Sequence, residues 1–412
     1  MNNLNNLNNL NNLNSVIYWF RNDLRITDNL AFIQAFERYG KVLAVYVHDP
    51  KHDAQTAWGF KRMGSHRRAF LSERLQDLVL QLKAIGCELV ELRGSPKDVL
   101  SVFCESKQTK KIHCEDIAAP EELDDVEDLK AAGLDVKTGW QSSLLDPSGL
   151  PFAVADLPAV FTAFRNKVDK QAVKPRELSK TRLSDDNLPE SAGEKHLKHY
   201  FANNFALTYK QTRNQPMNWS PEQHFSTQFS PWLACGALSA PMVYAELKRF
   251  EAEHGANDST YWIWFELLWR DYFRFLHLQY GKKLYRKQGL AGSELSKVPN
   301  NKQGFNRWCA GQTGEQLVDA GMRELVATGW LSNRMRQVVA SYLIHDLGGD
   351  WRAGAAWFEA QLIDYDVYSN QCNWLYIAGR GTDPRGGRRF NPAKQAEEHD
   401  PAGIYRKLWG AT

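Results

Sequence analysis

The chain has 412 residues, 43% of them hydrophobic and 24% charged, with a formal net charge of +3; that length predicts two or three domains. No run approaches 18 uninterrupted apolar residues, so no membrane-spanning helix is expected. The six cysteines (Cys87, Cys104, Cys114, Cys235, Cys309, Cys372) form no CxxC pair, which argues against a disulfide framework or zinc knuckle and for a reducing, cytoplasmic setting.

Residues 1–14 lie within a four-fold Asn-Asn-Leu repeat that has neither positive charge nor a continuous apolar core. They read as a low-complexity, disordered leader rather than a secretory signal. Residues 15–140 alternate strand-like runs, "VIYWF" (16–20), "VLAVYV" (42–47), "CELVEL" (87–92) and "KKIHC" (110–114), with stretches of helical periodicity. That alternation predicts an α/β domain with a doubly wound parallel sheet. "WFRNDLRITDN" follows the first strand in place of G-x-G-x-x-G, so the common dinucleotide fingerprint is missing. Residues 141–200 are dominated by Pro, Ser, Lys and Asp, the composition of a long linker. From 201 to 412 successive helical patterns are opened by Ser or Asp and closed by Gly, predicting an all-α C-terminal domain.

Charge is unevenly shared. Residues 1–150 carry 18 Lys/Arg against 21 Asp/Glu, and the remainder carry 33 against 27, with eleven of the 14 tryptophans beyond residue 200. A basic half rich in aromatics suits a nucleic acid or an aromatic cofactor, and equally a large helical core with solvated charges.

Three stretches carry candidate chemistry. In "YWIWFELLWRDYFRF" (261–275), Glu266, Trp269, Arg270 and Phe273 share one helical face. Their spacing suits either a buried polar site or a surface Glu–Arg pair at i,i+4. In "TGWLSNRMRQVV" (328–339), Asn333 and Arg336 follow a cap at Ser332 and suit a phosphate or a heterocycle edge, or a plain capped helix. "HFSTQFSPWLACGALSA" (224–240) offers hydroxyls at Ser226, Thr227 and Ser230 before Pro231, an anion cradle or routine capping.

Taken together with "VIYWFRNDLRITDN", "YKQTRN" (209–214) and "WRAGAAWFEAQLIDYDVYSNQCNWLYIAG", these stretches resemble the photolyase/cryptochrome family of flavoproteins over nearly the whole chain. The likeness is greatest to its cryptochrome-DASH branch. The resemblance implies a U-shaped FAD pocket lined by Tyr209, Ser226, Thr227, Phe229, Ser230, Glu266, Arg270, Asn333, Arg336, Asp364, Asp366 and Asn370. It implies Asn370 at the flavin N5 edge and Arg334 paired with Asp364. No metal is expected; the resemblance gives the two aspartates to the flavin instead.

The resemblance also implies light-driven electron transfer from excited FADH⁻ to a cyclobutane pyrimidine dimer flipped into the pocket. Glu266, Trp269 and Tyr376 would contact the lesion, with Asn370 tuning the flavin. Tyr376 stands where other dimer photolyases carry tryptophan, which fits a branch linked to single-stranded or loop-out DNA. Ser332 and Gln337 occupy positions where (6-4) repair needs histidines. Trp374 and Trp351 match the first two members of an electron relay. No tryptophan occurs in "SELSKVPNNKQGF" (293–305) for the third, leaving Trp308 or Trp330 as substitutes. Glu115 or Asp116 is the expected carboxylate for a folate antenna. The end at "YRKLWGAT" shows no long tail of the kind signalling cryptochromes use. A monomeric DNA repair enzyme is the leading expectation, and a blue-light or nucleic-acid-binding regulator with little catalysis the alternative.

Overall fold

The computed structural model describes residues 15–39, 41–179, 188–216, 226–292 and 299–410; the expected leader, 1–14, lies outside them. Strands β1 (Ser15–Phe20), β2 (Lys41–His48), β3 (Leu89–Arg93), β4 (Lys111–Glu115) and β5 (Asp135–Gly139) alternate with helices α1 (Leu30–Arg38), α2 (Ser65–Ala84), α3 (Pro96–Ser106) and α4 (Pro120–Ala131). They build an all-parallel sheet in the order β3-β2-β1-β4-β5. β1 is buried along its whole length because both faces are covered. Val16, Tyr18 and Phe20 pack with Phe32, Leu75 and Leu78 on one face. Ile17 and Trp19 meet Leu100 and Leu129 on the other. The four strands expected from the sequence are present with ends shifted by one or two residues. β5, "DVKTG", was not foreseen: it is an edge strand whose only buried residue is Val136, so it has no apolar run to show.

The stretch expected as a linker holds α5 (Phe161–Lys170) and most of α6 (Ala192–Ala202), the latter opened by a capping box between Ser191 and Glu194. Beyond it come α7 (Tyr209–Thr212), α8 (Ser230–Cys235), α9 (Ala240–His254), α10 (Asp258–Tyr280), α11 (Lys302–Cys309), α12 (Gln316–Thr328) and α13 (Asn333–Ser341). They are followed by α14 (Trp351–Gln361), α15 (Val367–Ile377), α16 (Pro392–His399) and α17 (Ile404–Leu408). Side-chain caps open the helices that matter below: Asn257 for α10, Ser332 for α13, Asp350 for α14 and Asp366 for α15. Trp308, Trp374 and Phe275 are fully buried in the helical core. Among the described residues, no helix is long and apolar enough to cross a membrane.

The two domains are joined at the sheet's topological switch point, between β1 and β4, where a doubly wound sheet ordinarily opens a ligand crevice. Here the loop after β1 docks on the end of α8. Leu24 N–H donates to Cys235 O at 3.0 Å and Arg25 Nη1 to Gly236 O at 2.8 Å. Gly236 has φ of 75°, and a Cβ there would stand 2.0 Å from Asn22 O. "WFRNDLRITDN" is thus a docking loop. On the helical side, the Asp271 carboxylate of α10 accepts from Leu144 N–H at 2.9 Å and Leu145 N–H at 2.7 Å.

Candidate functional site

A cavity of about 490 Å³ is walled by α7, α8, α10, α13 and the approach to α15, within the roughly 300–1,000 Å³ usual for small ligands. Every expected cofactor residue except Asn370 lines it, as do Trp269 and Tyr376. Asn370 and Trp374 line a smaller adjoining cavity of about 70 Å³ that shares Asn333, Arg336, Asp364 and Asp366 with the first.

The helical period of α10 delivers Glu266, Trp269, Arg270 and Phe273 to one wall. Glu266 and Arg270, four residues apart, do not pair with each other. Glu266 pairs with Arg213, whose guanidinium lies 4.1 Å from the Trp262 ring centroid. Arg270 donates to the carbonyl oxygens of Ser142 and Leu233. Burial, reinforced by Arg274, holds the Arg270 pKa down to about 9, with Asp366, Asp271 and Glu115 acting the other way. Burial raises the Glu266 carboxyl above its ordinary range while Arg213 opposes the shift.

The opposite wall is made by α13 and the start of α15. Arg336 Nη2 donates to Asp364 Oδ2 at 2.8 Å, and its Nε to Leu331 O at 2.7 Å. Asp364 is buried, and its Oδ1 has no partner among the described residues. Asp366 caps α15, accepts from Ser369 Oγ at 2.6 Å and pairs with Arg274 at 3.2 Å. Burial would raise its pKa, but Arg274 and Arg270 pull it below the usual carboxylate value. Asn370 Nδ2 donates to Ala355 O at 3.0 Å.

The expected Arg334–Asp364 pair is not formed. Positions two apart on a helix face different ways, so Arg336 reaches Asp364 while the Arg334 guanidinium lies 5.5 Å over Phe390.

At the third wall, Thr227 Oγ1 accepts from Phe229 N–H at 3.5 Å, and His196 Nε2 donates to Thr227 O at 2.8 Å. The rings of Trp269 and Tyr376 stand 6.1 Å apart at 67°. Tyr376 Oη accepts from Arg388 Nε at 2.7 Å. Two residues of this site escaped sequence reasoning. Arg213 was legible four positions after Tyr209 in "YKQTRN", whereas Arg388 sits in "GRGTDPRGGRRF", where no periodicity points inward.

Trp374 packs edge-on against Phe358 (5.1 Å) and Trp308 (6.3 Å). Trp351 is buried and donates Nε1–H to Lys287 O at 3.1 Å. Trp330 is instead on the main cavity wall, 5.2 Å under the Arg336 guanidinium. Glu115 is buried, its Oε2 has no partner among the described residues, and it lines a small cavity bordered by Arg25, Arg270 and Arg274, whereas Asp116 is half-buried outside it. Among the described residues, no cluster of His, Cys, Asp and Glu is placed to hold a metal.

Comparison with known proteins gives the family and the fold. The family described as the FAD binding domain of DNA photolyase matches residues 262–411, and the DNA photolyase family matches residues 16–181. Cryptochrome DASH of Synechocystis sp. is 40% identical, covering 96% of this chain and 87% of that protein. Cryptochrome DASH of Xenopus laevis is 39% identical, covering 96% and 82%. The crystal structure of the Synechocystis cryptochrome superposes with a TM-score of 0.88 at 39% identity, covering 96% of this chain and 88% of that one. A bacterial class III photolyase from Agrobacterium tumefaciens gives 0.76 at 26%, covering 96% and 86%.

The residues present fit FAD. Asp364 Oδ1 is a buried acceptor that has no hydrogen-bond partner among the described residues, and Arg270 is a half-buried cation on the cavity wall, paired with no carboxylate among them and suited to an anionic phosphate. The chain is an FAD-binding protein with an α/β domain and an all-α domain, and it belongs to the photolyase/cryptochrome family, on the side of cryptochrome DASH.

Proposed function

We propose that the protein is a deoxyribodipyrimidine photo-lyase that opens cyclobutane pyrimidine dimers in single-stranded or loop-out DNA, acting as a monomer. One observation carries the reading. Glu266 and Trp269, one turn apart on α10, face the same cavity as the Arg336–Asp364 pair and Arg270. A lesion held by the first two would thus lie against a cofactor held by the others. When bound, reduced FAD excited by blue light supplies an electron to the lesion and takes it back.

The protein's own part is to bind, orient and tune. Trp269 and Tyr376 give a flipped dimer flat surfaces to stack on, worth about 1–3 kcal/mol per base. Glu266, made easier to protonate by burial, is a hydrogen-bond partner for the pyrimidine edge. Arg270 and Arg336 supply positive charge to the anionic cofactor in a low-dielectric site. Asn370 would present its amide, able to donate or accept, to the flavin, and Trp374, on the adjoining cavity wall, would supply electrons to it. An unpaired lesion costs less to flip than one in a duplex. A folate antenna would use Asp116 or Glu115.

The test is blue-light repair of a dimer-containing oligonucleotide by chemically reduced protein. Restored thymines support the reading, and none restored overturns it. Tyr376, tied to Arg388 where other family members carry tryptophan, favours a second reading, a light-dependent regulator. That reading predicts light-dependent DNA or protein binding with the dimer left intact.

A further inference from the structure

Trp269 borders two cavities, the large one and a small, mainly apolar one behind it that Phe161 also lines. Phe161 is the first residue of α5, in the stretch joining the two domains, and is 4% exposed. Its ring lies parallel to the Trp269 indole, with centroids 3.7 Å apart and planes 12° apart. Trp269's other ring neighbours, Tyr272, Phe273 and Tyr376, meet it tilted or edge-on at 5.3–6.1 Å. One face of the indole is therefore taken, and the other is left to the large cavity.

α5 is fixed to α10 on both sides of this stack. Tyr272 Oη donates to Pro158 O at 2.9 Å just before it, and Asp169 accepts from Tyr261 Oη at 3.1 Å and Trp264 Nε1 at 3.3 Å near its end. Phe161 itself meets Phe265 edge-on at 5.1 Å. A ring held this way has one orientation to offer.

We propose that Phe161 is a positioning residue that fixes the plane of Trp269 as the stacking surface for a flipped pyrimidine dimer, an inference that rests on the lesion-binding reading above. Without it the indole can rotate about its χ angles into the apolar cavity and lose its flat presentation. Phe161→Leu keeps an apolar side chain of comparable size but removes the flat ring. Phe161→Tyr keeps the ring.

The experiment is a titration in the dark of FAD-loaded protein with a single-stranded oligonucleotide carrying one dimer, alongside the same strand undamaged. Flavin content and melting temperature are recorded for each variant. Phe161→Leu is expected to bind the dimer strand roughly three- to tenfold more weakly, as loss of an aromatic pair predicts. Binding of the undamaged strand and flavin content should stay unchanged, with discrimination restored in Phe161→Tyr. Wild-type discrimination persisting in Phe161→Leu overturns the role of Phe161 and leaves the lesion-binding reading standing. Equal binding of both strands by the wild type overturns that reading, and this inference with it.

Discussion

Arg336 donates to one oxygen of Asp364 at 2.8 Å and leaves the other, also buried, with no partner among the described residues. A carboxylate so placed is half of a site. The protein supplies the cation, and the ligand must supply a donor. Asp364→Ala removes both roles and strands the Arg336 charge, an expected loss of about 2–3 kcal/mol in FAD binding. Flavin absorbance per mole of purified protein measures it, and undiminished content would place the flavin elsewhere.

Gly236→Ala tests the domain junction. The new methyl would meet Asn22 O at a residue already in the left-handed region, so a destabilisation of about 3 kcal/mol or more is expected. The urea midpoint should drop, with flavin released at lower denaturant than in the wild type.

The buried Glu115 makes a pH prediction. Burial and the nearby Asp23 push its carboxyl from 4.5 up to about 8, against the pull of Arg25, Arg274 and Arg21. Below about pH 4.5 both folded and unfolded chains keep the proton and the group is neutral to stability. Between that value and about 8 the unfolded chain loses a proton that the folded chain retains, so stability falls as pH rises. Melting temperatures should decline from pH 5 to pH 8, and Glu115→Gln should flatten that slope. An identical slope in the variant would assign the effect to other groups.

Trp374→Phe should slow photoreduction of oxidised FAD severely while flavin content holds. Repair by chemically reduced protein should remain near wild type. Trp308→Phe and Trp351→Phe, compared under the same illumination, report which neighbour passes the electron on. Unimpaired photoreduction in Trp374→Phe would remove it from the relay.

Much of this was legible in the sequence because its signals were periodic or chemical. The buried strand "VIYWF" announces itself as a short continuous apolar run, and the aromatic face of α10 through period 3.6. Other features rest on geometry that spacing does not encode. "DVKTG" joins the sheet through backbone bonds at an exposed edge. Arg213 reaches Glu266 across 53 residues of sequence. Arg336 rather than Arg334 meets Asp364 because of which way a helix turns. α5 lay hidden in a stretch whose overall composition reads as linker, although "FTAFRNKV" places Phe161, Phe164 and Val168 at helical spacing and buries all three.

The two backbone N–H groups clamped by Asp271 have one more implication. The helix that bears Glu266 and Trp269 is the same helix that anchors the chain leaving the sheet. Pulling the α/β domain away would therefore drag on the cavity wall itself. The expected outcome is a single cooperative melt, in which loss of the sheet and loss of flavin coincide instead of following one another.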